Sequence, residues 1–336
     1  MPTSKKIAIP LAVLLAILAC AVLLPLLSFP GESAAKSLVW IECRYCYTLT
    51  APGYDTLYFN GIENDTLPRG LSSVRSKAEH TQVGQGCWFS YTSPIHFPQG
   101  SILTTSSVAQ PDTALEKYGR NVARLASAAL RQTKRQRDDI TRLDSHLVYY
   151  IKTHDVQDEG YTHIAQYEDH YKTTFATLSH LQDLLTKISM ASSPQVGFLA
   201  TYTCRHITAE GRLSDTALHC RRIKTYPNGL VMLRTTDGQT PRTAASLSYP
   251  LINGMKFTSS SRPLRVWLAG MNLPGAPDSI EGKRPDRIEG RAWHTAGSTR
   301  YATSLPLQTS SRGIPVVNCW GILVGLADED SIIAIP

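Results

Sequence analysis

The chain has 336 residues, of which 42% are hydrophobic and 18% charged, and this composition excludes a chain that is disordered throughout. Its length is sufficient for two hydrophobic cores with accessory segments. The formal net charge is +7, but the 34 lysines and arginines are spread along the sequence instead of forming one run. That distribution argues against a nucleic-acid-binding protein.

The first predicted element is a membrane anchor over residues 1–36. Lys5 and Lys6 precede an uncharged, apolar stretch at residues 7–27. A helix of that length, rising ~1.5 Å per residue, crosses a hydrocarbon core of ~30 Å. The positive charges place its N-terminal end in the cytoplasm, so we expect the rest of the chain to be extracytoplasmic, on the periplasmic side of the inner membrane if the source is Gram-negative. A signal peptide cleaved near residues 33–35 is the alternative, and it implies the same compartment.

Six cysteines follow the anchor, and an even number in an exported region favours disulfides, with fifteen pairings open. The Cys43-x-x-Cys46 pair is alternatively a redox motif or half of a zinc site. No second ligand pair with suitable spacing follows it, so we predict no metal and no cofactor. The six cysteines are Cys43, Cys46, Cys87, Cys204, Cys220 and Cys319.

The remaining chain alternates between two kinds of sequence pattern. Residues 37–112 and 191–336 contain short runs rich in β-branched and aromatic residues, separated by Gly, Pro and Asn, which predicts strands. Residues 113–190 have no proline and only two glycines, and their apolar residues recur at three- and four-residue spacing. That pattern predicts two long helices joined near Gly160 and packed antiparallel, as an insertion in an otherwise all-β domain.

Each predicted helix carries an apolar stripe that we expect the pair to bury. Packing of the two helices against each other is one use of these stripes, and binding a protein partner or a second copy of the chain is the other. The first stripe comprises Val122, Leu125, Ala129, Ile140, Leu143, Leu147 and Tyr150, and the second Tyr167, Tyr171, Phe175, Leu178, Leu181, Leu185 and Ile188.

Three β segments carry a resemblance to a known family. Residues 84–110 contain a glycine-rich strand and a returning strand that reads SILTTSSV, residues 228–241 read NGLVMLRTTDGQTP, and residues 310–326 read SSRGIPVVNCWGILVGL. In that order they resemble the signature segments of trypsin-like serine proteases, especially the bacterial periplasmic branch. Residues 266–275, VWLAGMNLPG, resemble the strand and turn before the nucleophile in that family. The resemblance implies a mainly β fold, a trypsin-like double β-barrel into which the helical hairpin is inserted.

The resemblance also gives the positions of a catalytic triad, and all three residues are replaced. The general-base histidine falls on Ser107, the orienting aspartate on Gly229 and the nucleophilic serine on Arg312. A serine hydroxyl is not a useful base near neutral pH, glycine has no carboxylate, and arginine has no nucleophilic lone pair. Ser311, beside the nucleophile position, and His96, in the preceding hairpin, are the residues that a displaced active site could use.

We therefore expect a catalytically inactive protease homologue that acts as a membrane-anchored, extracytoplasmic binding or scaffolding protein. Its partner is expected to be a protein or peptide, contacted through the barrel cleft or the helical hairpin, and the hairpin is also a candidate for self-association. The alternative function is an active trypsin-like peptidase that uses displaced residues.

Overall fold

The computed structural model describes residues 30–64, 67–90, 100–109, 121–248, 263–271, 286–294, 298–319 and 321–335. Most of the predicted anchor and His96 therefore lie outside the described residues. Among the helices of the described ranges, none has both the length and the hydrophobicity that a bilayer crossing requires. The chain divides into two compact units. The barrel unit comprises Met1–Cys43, Gln82–Pro111 and Thr201–Pro336, and the helical unit comprises Arg44–Thr81 and Asp112–Ala200.

Strands dominate the described residues. The strands are β1 Leu38–Thr50, β2 Leu57–Phe59, β3 Gly61–Glu63, β4 Leu67–Arg69, β5 His80–Ser90, β6 Ser101–Thr105, β7 Gln195–His206, β8 Leu218–Thr225, β9 Leu230–Thr235, β10 Leu247–Ser248, β11 Leu264–Gly270, β12 Asp286–His294, β13 Arg300–Thr303, β14 Pro315–Asn318, β15 Leu323–Asp328 and β16 Ser331–Ala334. The helices are α1 Pro30–Ser37, α2 Arg75–Ala78, α3 Ser106–Ala109, α4 Val122–Thr153 and α5 Tyr161–Met190.

The strands form two six-stranded barrels. The first follows the order β1-β5-β6-β9-β8-β7 and closes because β1 also pairs with β5. The second follows the order β11-β12-β13-β16-β15-β14 and is closed as well. Closure gives each barrel strand two neighbouring strands. The prediction of a mainly β fold with two barrels and additional helices is confirmed at this level.

The two barrels share part of their apolar core. One buried cluster combines Cys87 and Leu230 of the first barrel with Val317, Leu326 and Ile333 of the second. A second cluster lies within the second barrel and includes Val266, Leu268, Val316 and Ile332. Burial of this apolar area on both sides holds the barrels together and fixes the residues that lie between them.

The helical unit contains the antiparallel pair of α4 and α5. Gly160 precedes α5 with a φ of 87°, a left-handed conformation that glycine adopts without a Cβ penalty. The buried residues of the pair lie near one end, where Leu125 and Ala129 of α4 and Leu181, Leu185 and Ile188 of α5 are enclosed. In the same unit, Tyr47 and Phe59 of the paired strands β1 and β2 stack with ring centroids 5.2 Å apart.

The expected burial of the helical stripes is wrong for three of their members. Leu143 of the first stripe is 49% exposed, and Tyr167 and Phe175 of the second are 58% and 40% exposed. Leu185 and Ile188 are enclosed as expected. The reason is that each helix covers only one side of the other, so a stripe wider than the contact leaves its outer members in solvent.

The expectation of disulfides is not supported. All six described cysteines are free thiols, and only Cys319 among them is exposed.

Candidate functional site

The residue at the histidine position lies at the end of the first barrel, where β6 passes into α3. Ser107 Oγ donates a hydrogen bond of 2.5 Å to Asp328 Oδ1. It also lies 2.7 Å from Thr105 Oγ1. Because the serine proton is directed to the carboxylate, the threonine hydroxyl is the donor in the second contact. Ser107 is thus held by partners on both sides.

Asp328 is a buried carboxylate that ends β15 in the second barrel. Its residue surface is 7% exposed, and Oδ2 accepts a hydrogen bond of 3.1 Å from the guanidinium of Arg300. Arg300 in turn donates to Ser331 Oγ at 2.9 Å. The carboxylate is therefore satisfied by a cation and a hydroxyl, which is the usual requirement for a buried charge.

The residue at the aspartate position adjoins the histidine position. The carbonyl oxygen of Gly229 accepts a 2.7 Å hydrogen bond from the backbone N–H of Ser106. Gly229 itself has a φ of 91° in the turn before β9, where its N–H donates to the Tyr226 carbonyl. A residue with a side chain would be strained in that conformation, so glycine here serves the turn.

The residue at the nucleophile position follows a 3₁₀ turn, Thr309–Ser311. The guanidinium of Arg312 is paired with the carboxylate of Glu329, next to Asp328 along the chain. Its backbone N–H donates to the Thr309 carbonyl at 3.4 Å. The turn therefore uses a donor that an oxyanion hole at this position would need.

These contacts bring the three predicted triad positions together around one feature, the acidic turn formed by Asp328 and Glu329. Ser107 bonds to the first of the two, Arg312 pairs with the second, and Gly229 is joined to the residue before Ser107. We call this group the inter-barrel site.

Ser311, the candidate displaced nucleophile, lies inside the loop. Its side chain has no exposed surface, and its Oγ accepts the backbone N–H of Gln308 at 3.2 Å. In the described part of the chain, neither Ser311 nor Ser107 has a histidine as a hydrogen-bond partner.

The loop is fixed to the first barrel by the buried side chain of Gln85. Its amide nitrogen donates to the carbonyls of Met271 and Ser310 at 2.7 and 3.1 Å, and its amide oxygen accepts the Met271 N–H at 2.8 Å. Its backbone N–H donates to the Arg312 carbonyl at 3.0 Å. A Cβ on Gly313, whose φ is 82°, would overlap the Gln85 carbonyl oxygen. The close approach of the two segments therefore requires glycine.

The alternative site at Cys43 and Cys46 lacks reactive thiolates. Burial raises the pKa of the Cys43 thiol to about 12 and is also the main cause that raises the pKa of Cys46. Both thiols are therefore mainly protonated near neutral pH, and a protonated thiol does not attack a disulfide. Within the described ranges, no group of three or more His, Cys, Asp or Glu side chains is placed to hold a metal ion.

Sequence reasoning missed five residues of this region, although a signal for two of them was present. Asp328 and Glu329 belong to the acidic run that separates two apolar strands directly after the third signature segment. Such a run predicts a hairpin turn close to the nucleophile loop. Arg300 and Gln85 carry no comparable signal, because their partners are distant in sequence. Thr105 contacts Ser107 two residues away, but its role depends on the distant Asp328.

Of three comparisons with known proteins, two found no match and one found similar solved structures. No family model matches the chain, and no curated protein matches it. A crystal structure of the serine endoprotease from Yersinia pestis resembles it with a TM-score of 0.36 and 10% sequence identity. The match covers 91% of this chain and 61% of that chain, so the chain spans about three fifths of the length of that endoprotease.

Proposed function

We propose that the chain is a trypsin-like protease homologue without peptidase activity that serves as a binding or scaffolding protein. The observation that carries the proposal is the bonding of the inter-barrel site. The hydroxyl of Ser107, at the histidine position, donates a hydrogen bond to Asp328. The guanidinium of Arg312, at the nucleophile position, is paired with Glu329. Two six-stranded barrels and three signature segments in the family's order support the relation to trypsin-like proteases.

The chemistry of acyl transfer explains why this bonding matters. A serine hydroxyl becomes nucleophilic when an imidazole accepts its proton and a carboxylate holds that imidazole in the correct tautomer. Asp328 is a carboxylate next to a serine, but a carboxylate that is paired with the guanidinium of Arg300 is too weak a base to activate a hydroxyl. Nothing at positions 107, 229 or 312 supplies the missing base or nucleophile.

The burial of Ser311 counts against the alternative of a displaced active site. Attack on a peptide carbonyl requires the nucleophile within ~3–3.5 Å of the reacting carbon. Ser311 has no exposed surface, and its oxygen is occupied by the Gln308 N–H. The loop would have to unwind its 3₁₀ turn before this hydroxyl met a substrate.

A peptidase assay tests the proposal. The purified chain is incubated with fluorogenic casein beside a Ser311→Ala variant and a Ser107→Ala variant. We expect all three proteins to release no more fluorescence than a blank, because no variant removes an active group. Turnover by the natural chain that disappears in Ser311→Ala would support the displaced active site and contradict the proposal.

We also propose that the protein is anchored in a membrane by its N-terminal segment, with the rest of the chain on the extracytoplasmic side. The support is the apolar stretch at residues 7–27 behind Lys5 and Lys6. Intact cells and cells whose outer envelope has been permeabilised are treated with a proteinase, and the chain is probed with an antibody against its C-terminus. A C-terminus that stays protected from the proteinase in permeabilised cells would contradict the proposed orientation. Release of the chain from membranes by alkaline carbonate would contradict the anchor.

The helical pair is the surface that we propose for self-association. It exposes large side chains, with Tyr149 at 72%, Val156 at 68% and Tyr167 at 58% exposure. We expect the sedimentation coefficient to rise with concentration in the natural chain and to stay constant in a Tyr149→Ser/Tyr167→Ser double variant. Tyr54→Ser, which removes a 44% exposed tyrosine outside the pair, is the control. Equal behaviour of all three proteins would contradict this surface.

A further inference from the structure

Two thiols of the first barrel lie in direct contact. Cys204 on β7 and Cys220 on β8 have their Sγ atoms 3.2 Å apart. The register pairs Tyr202 with Cys220 and Cys204 with Leu218, so the two cysteines occupy diagonal positions on neighbouring antiparallel strands. Their side chains project from the same face, since residues two apart along a strand point the same way.

We infer that Cys204 and Cys220 form a disulfide when the folded protein meets a low-molecular-weight disulfide oxidant. The sulfur atoms need to approach by about 1.2 Å to reach the ~2.05 Å of a disulfide. No other pair of described cysteines is in such contact in the described ranges. The contact therefore identifies one pair among the six cysteines that the sequence alone left unpaired. The inference does not depend on whether the inter-barrel site is active.

The exposures of the two thiols set the order of the reaction. Cys204 is 1% exposed, whereas Cys220 is partly exposed. The contact with Cys220 and burial raise the pKa of Cys204, so its thiolate is scarce. Cys220 is therefore the thiol that an oxidant in solution meets first, and Cys204 is the thiol that resolves the intermediate.

With oxidised glutathione as the oxidant, the exchange balances in two steps. The Cys220 thiolate attacks one glutathione sulfur, forms a mixed disulfide and releases one glutathione thiolate. Cys204 then loses its proton to solvent, and its sulfur attacks Cys220 Sγ and expels the second glutathione. Two protein thiols are oxidised, and one oxidised glutathione becomes two reduced molecules.

The product closes a ring over residues 204–220 within the first barrel. That ring contains the connection between β7 and β8, which a covalent link restricts in the unfolded chain more than in the folded one. We expect oxidation to raise the Tm of the barrel unit by several degrees and dithiothreitol to reverse the rise.

Peptide mapping of the full chain tests the inference. The folded protein is incubated with oxidised glutathione, quenched with acid, alkylated on return to neutral pH and then digested with trypsin. Cys204 falls in the tryptic peptide 188–205 and Cys220 in the peptide 213–221. We expect these two peptides to be recovered as one cross-linked species that dithiothreitol separates, whereas the exposed Cys319 carries glutathione.

Two variants sharpen the result. Cys204→Ser removes the resolving thiol, so Cys220 should retain one glutathione, and Cys319→Ser should leave the cross-link between the two tryptic peptides intact. Recovery of both peptides with alkylated cysteines after oxidation would overturn the inference, as would a cross-link from either cysteine to any other. Absence of a glutathione adduct on Cys220 in Cys204→Ser would overturn the proposed order of attack.

Discussion

Gln85 shows how one buried side chain can fix a loop that the sequence leaves undefined. Its amide makes three hydrogen bonds to the backbone of Met271 and Ser310, and its own backbone N–H bonds to the Arg312 carbonyl. Ser310 and Arg312 belong to the loop that carries the predicted nucleophile position. The position of Arg312 is therefore set partly from the first barrel.

Replacing Gln85 by leucine should destabilise the barrel unit. Leucine fills a similar volume but leaves the Met271 and Ser310 carbonyls and the Met271 N–H without partners, at about 1–3 kcal/mol for each unsatisfied group. We expect the free energy of unfolding to fall by at least ~2 kcal/mol. Urea unfolding followed by tryptophan fluorescence measures it, because all five tryptophans lie in the barrel unit. Gln157→Leu, at an exposed position, is the control. Equal urea midpoints for the two variants would contradict the stabilising role of the Gln85 hydrogen bonds.

Gly313 and Gly211 provide a matched pair of left-handed glycines. Their φ angles are 82° and 76°, but a Cβ at Gly313 would overlap the Gln85 carbonyl, whereas a Cβ at Gly211 meets nothing within 4 Å. Gly211→Ala should cost about 1–2 kcal/mol for the backbone conformation alone. Gly313→Ala should cost clearly more, as a lower urea midpoint in the same fluorescence assay. Similar losses in both variants would mean that Gln85 and Gly313 do not approach as closely as described.

At the scale of elements, α5 divides into an enclosed end and an open remainder. Leu185 has no exposed surface and Phe175 is 40% exposed, although both belong to the stripe that the sequence predicts to be buried. Periodicity identifies the helix and the side that carries its apolar residues. It does not give the width of the contact, which depends on the helix packed against it.

Truncation of these two residues should separate the two parts of α5. Leu185→Ala removes buried methyl groups and should lower the stability of the helical unit by about 2–4 kcal/mol. Phe175→Ala should cost at most ~1 kcal/mol, because much of the ring is already in solvent. Thermal melts followed by circular dichroism at 222 nm report the helical pair. A larger loss for Phe175→Ala than for Leu185→Ala would contradict the arrangement of the helices.

At the scale of the whole molecule, the hydrogen bond between Ser107 and Asp328 joins the two barrels. A double-mutant cycle with Ser107→Ala and Asp328→Asn should give a coupling energy of about 1.5–3 kcal/mol, the usual range for a hydrogen bond to a charged group. Tryptophan fluorescence in urea supplies the four free energies. Ser145→Ala combined with Asp328→Asn is the control cycle and should be additive, because Ser145 lies on α4. A coupling energy near zero for Ser107 and Asp328 would show that their hydrogen bond does not stabilise the folded chain.

Local signals in the sequence, namely glycine and proline punctuation, strand-like runs and helical periodicity, predicted strands and the helical pair. The arrangement of the strands in two barrels and the positions Ser107, Gly229 and Arg312 were predicted only through the resemblance to a known family. The sequence could not give the partners of these three residues. Ser107 and Asp328 are 221 residues apart, and Arg300 reaches Asp328 only because β13, β15 and β16 are neighbours in the second barrel. Pairings of that kind depend on how the chain closes on itself, which no local pattern encodes.

The most direct test of an inactive inter-barrel site is labelling with a fluorophosphonate, which reacts with a serine only when a base activates its hydroxyl. The intact chain is incubated with the probe beside active trypsin, and mass spectrometry maps the adducts. We predict that trypsin is labelled and that Ser107 and Ser311 of this chain carry no phosphonate before or after heat denaturation. A stoichiometric adduct on either serine that forms in the folded protein, and does not form when the chain is denatured before the probe is added, would contradict the account.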